Sequence, residues 1–300
     1  FLTSTTFCAM YRSRHLSSKM KAMTPKLLSV AVYTTLCVLN FPQSSAFVPT
    51  DSPRMSPPLH MTISSNAFDL NNVKAILFDI DGTLADSWKL GFDATQVVLE
   101  SNGIGKITEE EYHQGCIYAT PERLARHAGL SPSDPTFEEV GERLGKEFDD
   151  HYVGLVSTET AGFYDGIGDL LDSVPSTIKF GALTNACVGY AYAVLKCNSN
   201  DKNDVYDRFE SIKGADNVPL PKPAPDGLLA VCSDLSVKPE ECIYVGDSPT
   251  DGKAAESAGM PSIGVLWGSH NKESLSKAPF KQLCKNVDEL RGLFGLVPVL

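Results

Sequence analysis

The chain has 300 residues, of which 42% are hydrophobic, and this length is sufficient for one or two domains with a sizeable core. Residues 1–66 contain six basic side chains and one acidic side chain, whereas the remainder contains 20 basic and 36 acidic ones. An acidic body without a basic stripe argues against a nucleic-acid partner, because phosphate backbones are bound by clustered Lys and Arg.

The N-terminal region has the composition of a targeting sequence. Basic side chains around Met20 precede an apolar run from Leu27 to Leu39, and the small residues Ser44-Ser45-Ala46 follow it. This combination is typical of a signal peptide and its cleavage site, and we assign residues 1–46 to it. The alternative is an amphipathic or frayed N-terminal helix. Because the run is shorter than the about 20 residues that span a bilayer, we expect no membrane anchor in the mature form.

Residues 47–66 are rich in Ser, Pro and Met, poor in acidic residues, and predicted not to fold on their own. The junction Ser45-Ala46-Phe47-Val48-Pro49 resembles the boundary between signal and transit peptide in proteins sent to plastids bounded by extra membranes, as in diatoms and related algae. The aromatic residue just after the predicted cut, Phe47, carries this resemblance. It implies a chloroplast, and more narrowly a stromal, location.

A pair of carboxylates follows the first predicted strand. The apolar run from Val73 to Phe78 leads into Asp79-Ile80-Asp81-Gly82, which predicts a buried parallel strand that ends in a tight turn. Side chains of an extended chain alternate, so Asp79 and Asp81 are predicted to point to the same side. Two carboxylates so close raise one pKa unless a cation or a proton lies between them. The pair therefore indicates either a divalent-metal site or a division of roles, with one Asp as nucleophile and the other as acid/base. The alternative is that each Asp only caps a turn.

Residues 88–164 have helical patterns instead. Capping boxes are predicted at Thr108 and Thr136, and an N-cap is predicted at Thr120 before Pro121. One apolar stripe recurs at spacings of three and four residues: Phe137, Val140, Leu144, Phe148 and Tyr152. A helical segment of this length is therefore predicted to interrupt an α/β unit directly after its first strand.

The α/β pattern resumes with a short helix over residues 166–174 and a strand from Ile178 to Leu183. This strand ends in Thr184-Asn185, where a hydroxyl beside a helix N-terminus is suited to bind a phosphoryl oxygen. The alternative for Thr184 is an ordinary N-cap.

Further along the chain, Lys222 lies between prolines before a helix predicted over residues 226–235; alternatively, this segment is a surface linker. The strand from Cys242 to Val245 then ends in an acidic segment that contains Asp247 and Asp251. A last strand is predicted over residues 262–266, and a C-terminal helix from Asp288.

The motif Asp79-Ile80-Asp81-Gly82-Thr83-Leu84 resembles the first motif of the haloacid dehalogenase superfamily, and specifically its phosphatase branch. With the later motifs, the resemblance spans residues 73–268. It implies that Asp79 attacks phosphorus to form an aspartyl phosphate. Asp81 would protonate the leaving oxygen and later activate water, while Thr184, Asn185 and Lys222 would bind the substrate.

The resemblance also implies a role for the helical insertion and a set of ligands for a metal ion. The segment 88–164 would be a mobile cap that covers the site, with Arg123, Arg126 and His127 as candidates for a substrate carboxylate. For each of these, a solvated helix charge is the alternative. Mg²⁺ would be held by Asp79, Asp247 and the backbone carbonyl of Asp81, with Asp251 in support, since hard oxygen ligands suit Mg²⁺.

We therefore predict a doubly wound, Rossmann-like parallel sheet with a helical cap, the core comprising residues 67–87 and 165–300. The predicted function is Mg²⁺-dependent hydrolysis of a small phosphate ester, 2-phosphoglycolate in particular. Alternatives within the superfamily are a sugar-phosphate mutase or phosphatase and a pyrophosphatase. The alternative of another class is a signalling receiver domain that is phosphorylated on Asp.

The targeting hypothesis predicts that a fluorescent protein fused to residues 20–66 enters the plastid. We expect Phe47→Ala to leave the fusion outside it, because the aromatic residue after the cut would be missing. Imaging of both fusions beside a plastid marker measures this, and cytosolic fluorescence of the unmutated fusion would contradict the hypothesis.

Overall fold

The computed structural model describes residue 68, residues 70–199 and residues 204–296. The signal-peptide region and the transit-like segment predicted over residues 1–46 and 47–66 lie outside these residues. Among the helices of the described part, none is both long and apolar enough to cross a membrane.

A parallel sheet forms the centre of the described part. Its strands are β1 (Ala75–Phe78), β2 (Lys179–Leu183), β3 (Phe209–Lys213), β4 (Cys242–Gly246), β5 (Ser262–Val265) and β6 (Gln282–Cys284). They lie in the order β3-β2-β1-β4-β5-β6, and each neighbouring pair is parallel. In a doubly wound sheet of this order, ligands bind beyond the carboxyl ends of the central strands. The predicted fold class is confirmed.

Helices fill the connections between the strands. Five helices lie between β1 and β2, and the first four of them are α1 (Trp88–Ser101), α2 (Glu109–Gly115), α3 (Thr120–His127) and α4 (Phe137–Gly154). We call these four helices the cap. The later helices are α5 (Ile167–Ser173), α6 (Val188–Cys197), α7 (Asp226–Leu235), α8 (Pro249–Ala258), α9 (Lys272–Leu275) and α10 (Val287–Leu293).

The two faces of the sheet are covered by different helices. Ile76 and Phe78 of β1 belong to a core cluster that includes residues of α5, α6 and α10. Ala75 and Leu77, which alternate with them, belong to a second cluster with residues of α7 and α8. Because both faces of a central parallel strand are buried, β1 is apolar at every position, and this explains why its sequence is a continuous apolar run.

Helices α3 and α4 pack closely within the cap. A Cβ atom at Gly141 would lie 2.6 Å from the carbonyl oxygen of Pro121, so glycine permits this approach. On the predicted stripe of α4, Leu144, Phe148 and Tyr152 are buried. This packing fixes the orientation of α4 and therefore the positions of Phe148 and Tyr152.

Two of the three predicted helix caps differ from the structure. The capping box at Thr108 is present, with reciprocal bonds to Glu111. Thr136 makes no such bond, because its ψ of 2° lies outside the extended region that directs an N-cap side chain to the helix. Thr120 is the first residue of α3, which places Ala119 at the N-cap, and its buried side chain lines the cavity described below.

The edge strands β3 and β6 were not predicted. β6 has only three residues, and β3 includes the polar residues Glu210, Ser211 and Lys213. β3, with its polar positions, and β6, with only three residues, lack the apolar run that marked β1 and β4, because an edge strand has fewer neighbours to bury it.

Candidate active site

Three parallel strands end at one cavity of about 100 Å³. Asp79 follows β1, Thr184 follows β2 and Asp247 follows β4, and the segment before α7 adds Lys222. Cap residues line the same cavity, Arg123 and Tyr152 among them. The structure therefore brings the predicted core residues together under the cap.

A buried ion-pair network forms the floor of the cavity. The Nζ atom of Lys222 lies 2.7 Å from Asp79 Oδ1 and 2.7 Å from Asp251 Oδ1. Burial lowers the pKa of Lys222, but the charges of Asp251 and Asp79 outweigh it and raise this pKa above its ordinary value. Lys222 is therefore a permanent cation at neutral pH, fixed between two carboxylates.

Two neutral side chains hold this network. The Tyr244 hydroxyl donates to Asp251 Oδ1 at 3.0 Å and accepts from Lys222 Nζ at 3.2 Å. The Asn185 side-chain amide donates to the carbonyl of Lys222 at 3.0 Å, while the Lys222 amide donates to Asn185 Oδ1 at 2.9 Å. Asn185, predicted to bind substrate, thus spends both of its polar atoms on the Lys222 backbone.

An acidic cluster surrounds the same floor. Asp79, Asp247 and Asp251 each place a carboxylate oxygen within 4.8 Å of the others. Burial and the Asp251 charge raise the pKa of Asp79, and the same two causes raise that of Asp247 to about 7. Three carboxylates against one Lys leave an excess of two negative charges, which a divalent cation would neutralise.

The donor atoms distinguish the roles of the three carboxylates. Asp251 accepts from Lys222 and Tyr244 through Oδ1 and from the amide of Ser248 through Oδ2, so both of its oxygens are engaged. Asp247 accepts from the Ser269 amide through Oδ2 at 2.7 Å. In the described residues, no hydrogen bond reaches Asp79 Oδ2 or Asp247 Oδ1, and these hard oxygens fit Mg²⁺.

Close backbone approach at two glycines makes room for Asp247. Gly82 has a φ of +72°, and a Cβ atom there would lie 2.2 Å from Asp247 Oδ2. A Cβ atom at Gly268 would lie 2.3 Å from the same oxygen. Glycine is therefore required at Gly82 for both its conformation and its contact.

Asp81 lies in a different environment from Asp79. Hydroxyl groups of Ser87 and Tyr190, each at 2.6 Å, and of Tyr152, at 3.2 Å, donate to its Oδ1, and Thr184 donates to its Oδ2 at 3.1 Å. Both Asp residues line the cavity, as the alternation predicted, but the Asp81 carboxylate is outside the acidic cluster. Its backbone carbonyl as a metal ligand stays a prediction.

The hydroxyls around Asp81 remain protonated. Burial, followed by the Asp81 charge, raises the pKa of both Tyr152 and Tyr190 well above the ordinary value. Both tyrosines therefore stay hydrogen-bond donors. Tyr152 was predicted only as part of the apolar stripe of α4, and Tyr190 and Tyr244 were not predicted as site residues. A buried Tyr hydroxyl usually has a hydrogen-bond partner, so a Tyr in an otherwise apolar helix or strand could have indicated a polar contact in the core.

The two candidate cap arginines have different surroundings. Arg123 is buried and lines the cavity, and its guanidinium donates to Thr95 Oγ1 at 2.8 Å and lies 4.8 Å from the centre of the Phe148 ring. No Asp or Glu of the described part forms a salt bridge with it. Arg126 pairs with Glu122 one turn earlier and lies over the ring of Tyr118; Tyr118 lines the cavity, but Arg126 does not.

His127 also lies outside the cavity lining. Burial and the neighbouring Arg123 lower its pKa to about 4, so it is neutral at physiological pH and offers no charge to a substrate. Of the three basic cap residues considered, the structure brings only Arg123 to the site.

Comparisons with known proteins agree with this geometry. The family model for haloacid dehalogenase-like hydrolases matches residues 76–265. The chain is 29% identical to a phosphoglycolate phosphatase from Salmonella typhimurium over 245 residues, which are 76% of this chain and 94% of that protein.

Two solved structures share the fold. CbbY from Rhodobacter sphaeroides, in complex with phosphate, has a TM-score of 0.61 and 25% identity, covering 73% of this chain and 96% of that one. A hydrolase from Pseudomonas syringae has a TM-score of 0.60 and 24% identity, covering 73% of this chain and 97% of its own.

The acidic cluster predicts a graded dependence of Mg²⁺ affinity on its members. Asp247→Ala should weaken Mg²⁺ binding by more than about 100-fold, because it removes an oxygen with no competing partner, and Asp251→Asn by roughly 10–100-fold, because it supports the others. Isothermal titration with Mg²⁺ measures both. Thr184→Ala, which leaves the cluster intact, is the control, and equal losses in Asp247→Ala and Thr184→Ala would reject the assignment.

Proposed function

Because the chain belongs to the haloacid dehalogenase-like hydrolases, we propose that it hydrolyses a small phosphate monoester, most specifically 2-phosphoglycolate, with Asp79 as nucleophile and Asp81 as acid/base. The chain is a phosphoric monoester hydrolase by its family and relatives. The observation that carries the narrower substrate proposal is Arg123, a buried cation that faces the cavity and has no acidic partner in the described part.

The first chemical step would occur at Asp79. Its carboxylate attacks phosphorus, the bond from phosphorus to the ester oxygen breaks, and Asp81 gives its proton to the departing alcohol. Thr184 and Lys222, which flank the two Asp residues, bind the phosphoryl oxygens. Bound Mg²⁺, held by Asp79 and Asp247 with Asp251 in support, would neutralise the charge of the phosphoryl group and the cluster.

The second step would return Asp79 to its free form. A water molecule attacks phosphorus of the aspartyl phosphate and gives a proton to Asp81, the bond between phosphorus and the Asp79 oxygen breaks, and inorganic phosphate leaves. Asp81 can serve in both steps because its surroundings differ from those of Asp79: it faces hydroxyl donors, whereas Asp79 faces Lys222 and two carboxylates.

The position of Arg123 is evidence that the substrate has a carboxylate. Once the core holds the phosphoryl group, the cap must supply a cation for the other end of 2-phosphoglycolate. The Arg123 guanidinium is fixed by Thr95 and by the rings of Phe148 and Tyr112, so little of its freedom remains to be lost on binding. A water-shielded pair between Arg and a carboxylate is among the stronger polar contacts.

The size of the cavity also favours a small ester. Its volume is about 100 Å³, well below the roughly 300–1,000 Å³ of pockets that hold drug-sized ligands. Phosphoglycolate, which has only two carbons, is small enough to suit this space. The inserted cap and the hydrolase relatives favour turnover over the receiver-domain alternative.

A plastid location is part of the proposal. The acid-poor N-terminal region and Phe47 support it, and the stroma of a photosynthetic cell continually makes 2-phosphoglycolate. A screen of purified residues 67–300 against a panel of phosphate esters tests the substrate assignment. The absence of a preference for phosphoglycolate would contradict it.

The roles of the two Asp residues predict different failures. Asp79→Asn should abolish both turnover and phosphoenzyme formation, because the attacking carboxylate is missing. Asp81→Asn should also reduce turnover by about 100-fold or more but let the aspartyl phosphate accumulate, because hydrolysis loses its base. Acid-quench labelling and intact mass measure the phosphoenzyme. Appreciable steady-state activity of Asp79→Asn would refute the assignment.

Excess chelator should abolish turnover in the unmutated enzyme, and added Mg²⁺ should restore it, because the cluster would otherwise repel the phosphate dianion. Steady-state rates before and after Mg²⁺ addition provide the measurement. Full activity in excess chelator would contradict the metal assignment.

The cap arginines form a matched pair for the substrate. Arg123→Ala should cost about 1.5–3 kcal/mol in kcat/KM for phosphoglycolate, with less effect on a neutral aryl phosphate, because a charged hydrogen bond to the carboxylate is lost. Arg123→Lys keeps the charge without the planar fork and should recover only part of the preference. Arg126→Ala, outside the cavity, is the control, and an equal loss on both esters in Arg123→Ala would be the adverse result.

A further inference from the structure

Three hydroxyl groups converge on one oxygen of Asp81. Ser87 Oγ and the Tyr190 hydroxyl each lie 2.6 Å from Asp81 Oδ1, and the Tyr152 hydroxyl lies 3.2 Å from it. All three residues are buried. We call them the hydroxyl cluster. None of them belongs to the acidic cluster, and none is Thr184 or Lys222, which would bind the phosphoryl oxygens.

The partners of Asp81 are unequally divided between its two oxygens. A carboxylate has about four acceptor sites, two on each oxygen, so three donors saturate Oδ1. Oδ2 has a single protein partner in the described part, Thr184 Oγ1 at 3.1 Å. Ser87 and Tyr152, which contact Oδ1, line the cavity as Thr184 does, but only Thr184 has a proposed role in binding the phosphoryl group, so that role assigns Oδ2 to the side of the phosphoryl group.

The cluster joins the cap to the core. Tyr152 belongs to α4 of the cap and Tyr190 to α6 of the core, and their rings stack with centroids 4.3 Å apart and planes 17° apart. The ring of Phe148, one turn before Tyr152, lies 4.7 Å from the Tyr152 ring between centroids. The same face of α4 therefore carries Tyr152, which donates to Asp81 Oδ1, and Phe148, which lines the cavity.

We propose that Ser87, Tyr152 and Tyr190 are positioning residues that fix Asp81 Oδ1 and so direct Oδ2 to the leaving-group oxygen, with Tyr152 making this orientation depend on the cap. The inference rests on the proposed acid/base role of Asp81. Oδ2–H gives its proton to the ester oxygen as the bond from phosphorus to that oxygen breaks, and Oδ2 later takes a proton from the attacking water.

The leaving group provides the test. 4-Nitrophenyl phosphate releases a stable phenolate that needs little protonation, whereas phenyl phosphate, of similar shape, releases a poorer leaving group. Neither carries a carboxylate, so Arg123 does not enter the comparison. We expect Tyr152→Phe and Tyr190→Phe, which keep the stacked rings, to lower kcat/KM for phenyl phosphate by about 10-fold and that for 4-nitrophenyl phosphate by less than about 3-fold.

Two comparisons make the result specific. Tyr192→Phe, on the same helix as Tyr190 but exposed and packed on Tyr206, is the matched control and should change neither value. Equal losses on both esters in Tyr152→Phe and Tyr190→Phe, or no loss, would overturn the positioning role, since a structural defect does not distinguish leaving groups. Thermal unfolding of each variant identifies such a defect.

Asp81→Asn in the same assay separates this inference from the proposed function. A selective loss on phenyl phosphate in Asp81→Asn, without one in the tyrosine variants, would reject the positioning residues and keep the acid/base assignment. If Asp81→Asn shows no selective loss, the acid/base assignment itself is wrong, and the positioning role fails with it.

Discussion

The placement of Lys222 between Asp79 and Asp251 is the interaction on which the site depends. Three carboxylates could not be buried at the ends of β1 and β4 without a cation, because burial and mutual repulsion already raise the pKa values of Asp79 and Asp247. Removing one partner of a buried pair costs about 3–5 kcal/mol in general, since it leaves an uncompensated charge. Asn185 and Tyr244 hold Lys222 in this position, so residues outside the acidic cluster maintain its geometry.

The site gives its two adjacent Asp residues different partners. Asp79 faces a cation and two carboxylates, which suits a nucleophile next to a metal, whereas Asp81 faces hydroxyl groups, which suits proton transfer. The cap takes part in both halves of this arrangement. It supplies Arg123 to the cavity and Tyr152 to Asp81, so under the proposed function the position of the cap would affect substrate selection and the orientation of the acid/base together.

Much of the fold and the core of the site could be predicted from the sequence. The apolar runs that end in Asp79, Thr184 and Asp247 identified three strands whose carboxyl ends share an edge, and the structure brings those residues together with Lys222. The edge strands were not predicted, because neither the polar β3 nor the three-residue β6 has an apolar run. The capping at Thr136 was predicted wrongly, because an N-cap depends on the backbone angles of that residue.

The sequence by itself determined the order of β1, β2, β4 and β5 along the chain, the position of the helical insertion and the acidic strand ends, because these depend on local periodicity and on residues that are close in the chain. Only the tertiary structure decided which side chains are partners. Arg123 and Arg126 are three residues apart on one helix, yet one faces the cavity and the other pairs with Glu122. Tyr190 reaches Asp81 across 109 residues of chain. Such contacts arise from the packing of α4 and α6 against the sheet, and a local pattern does not contain that information.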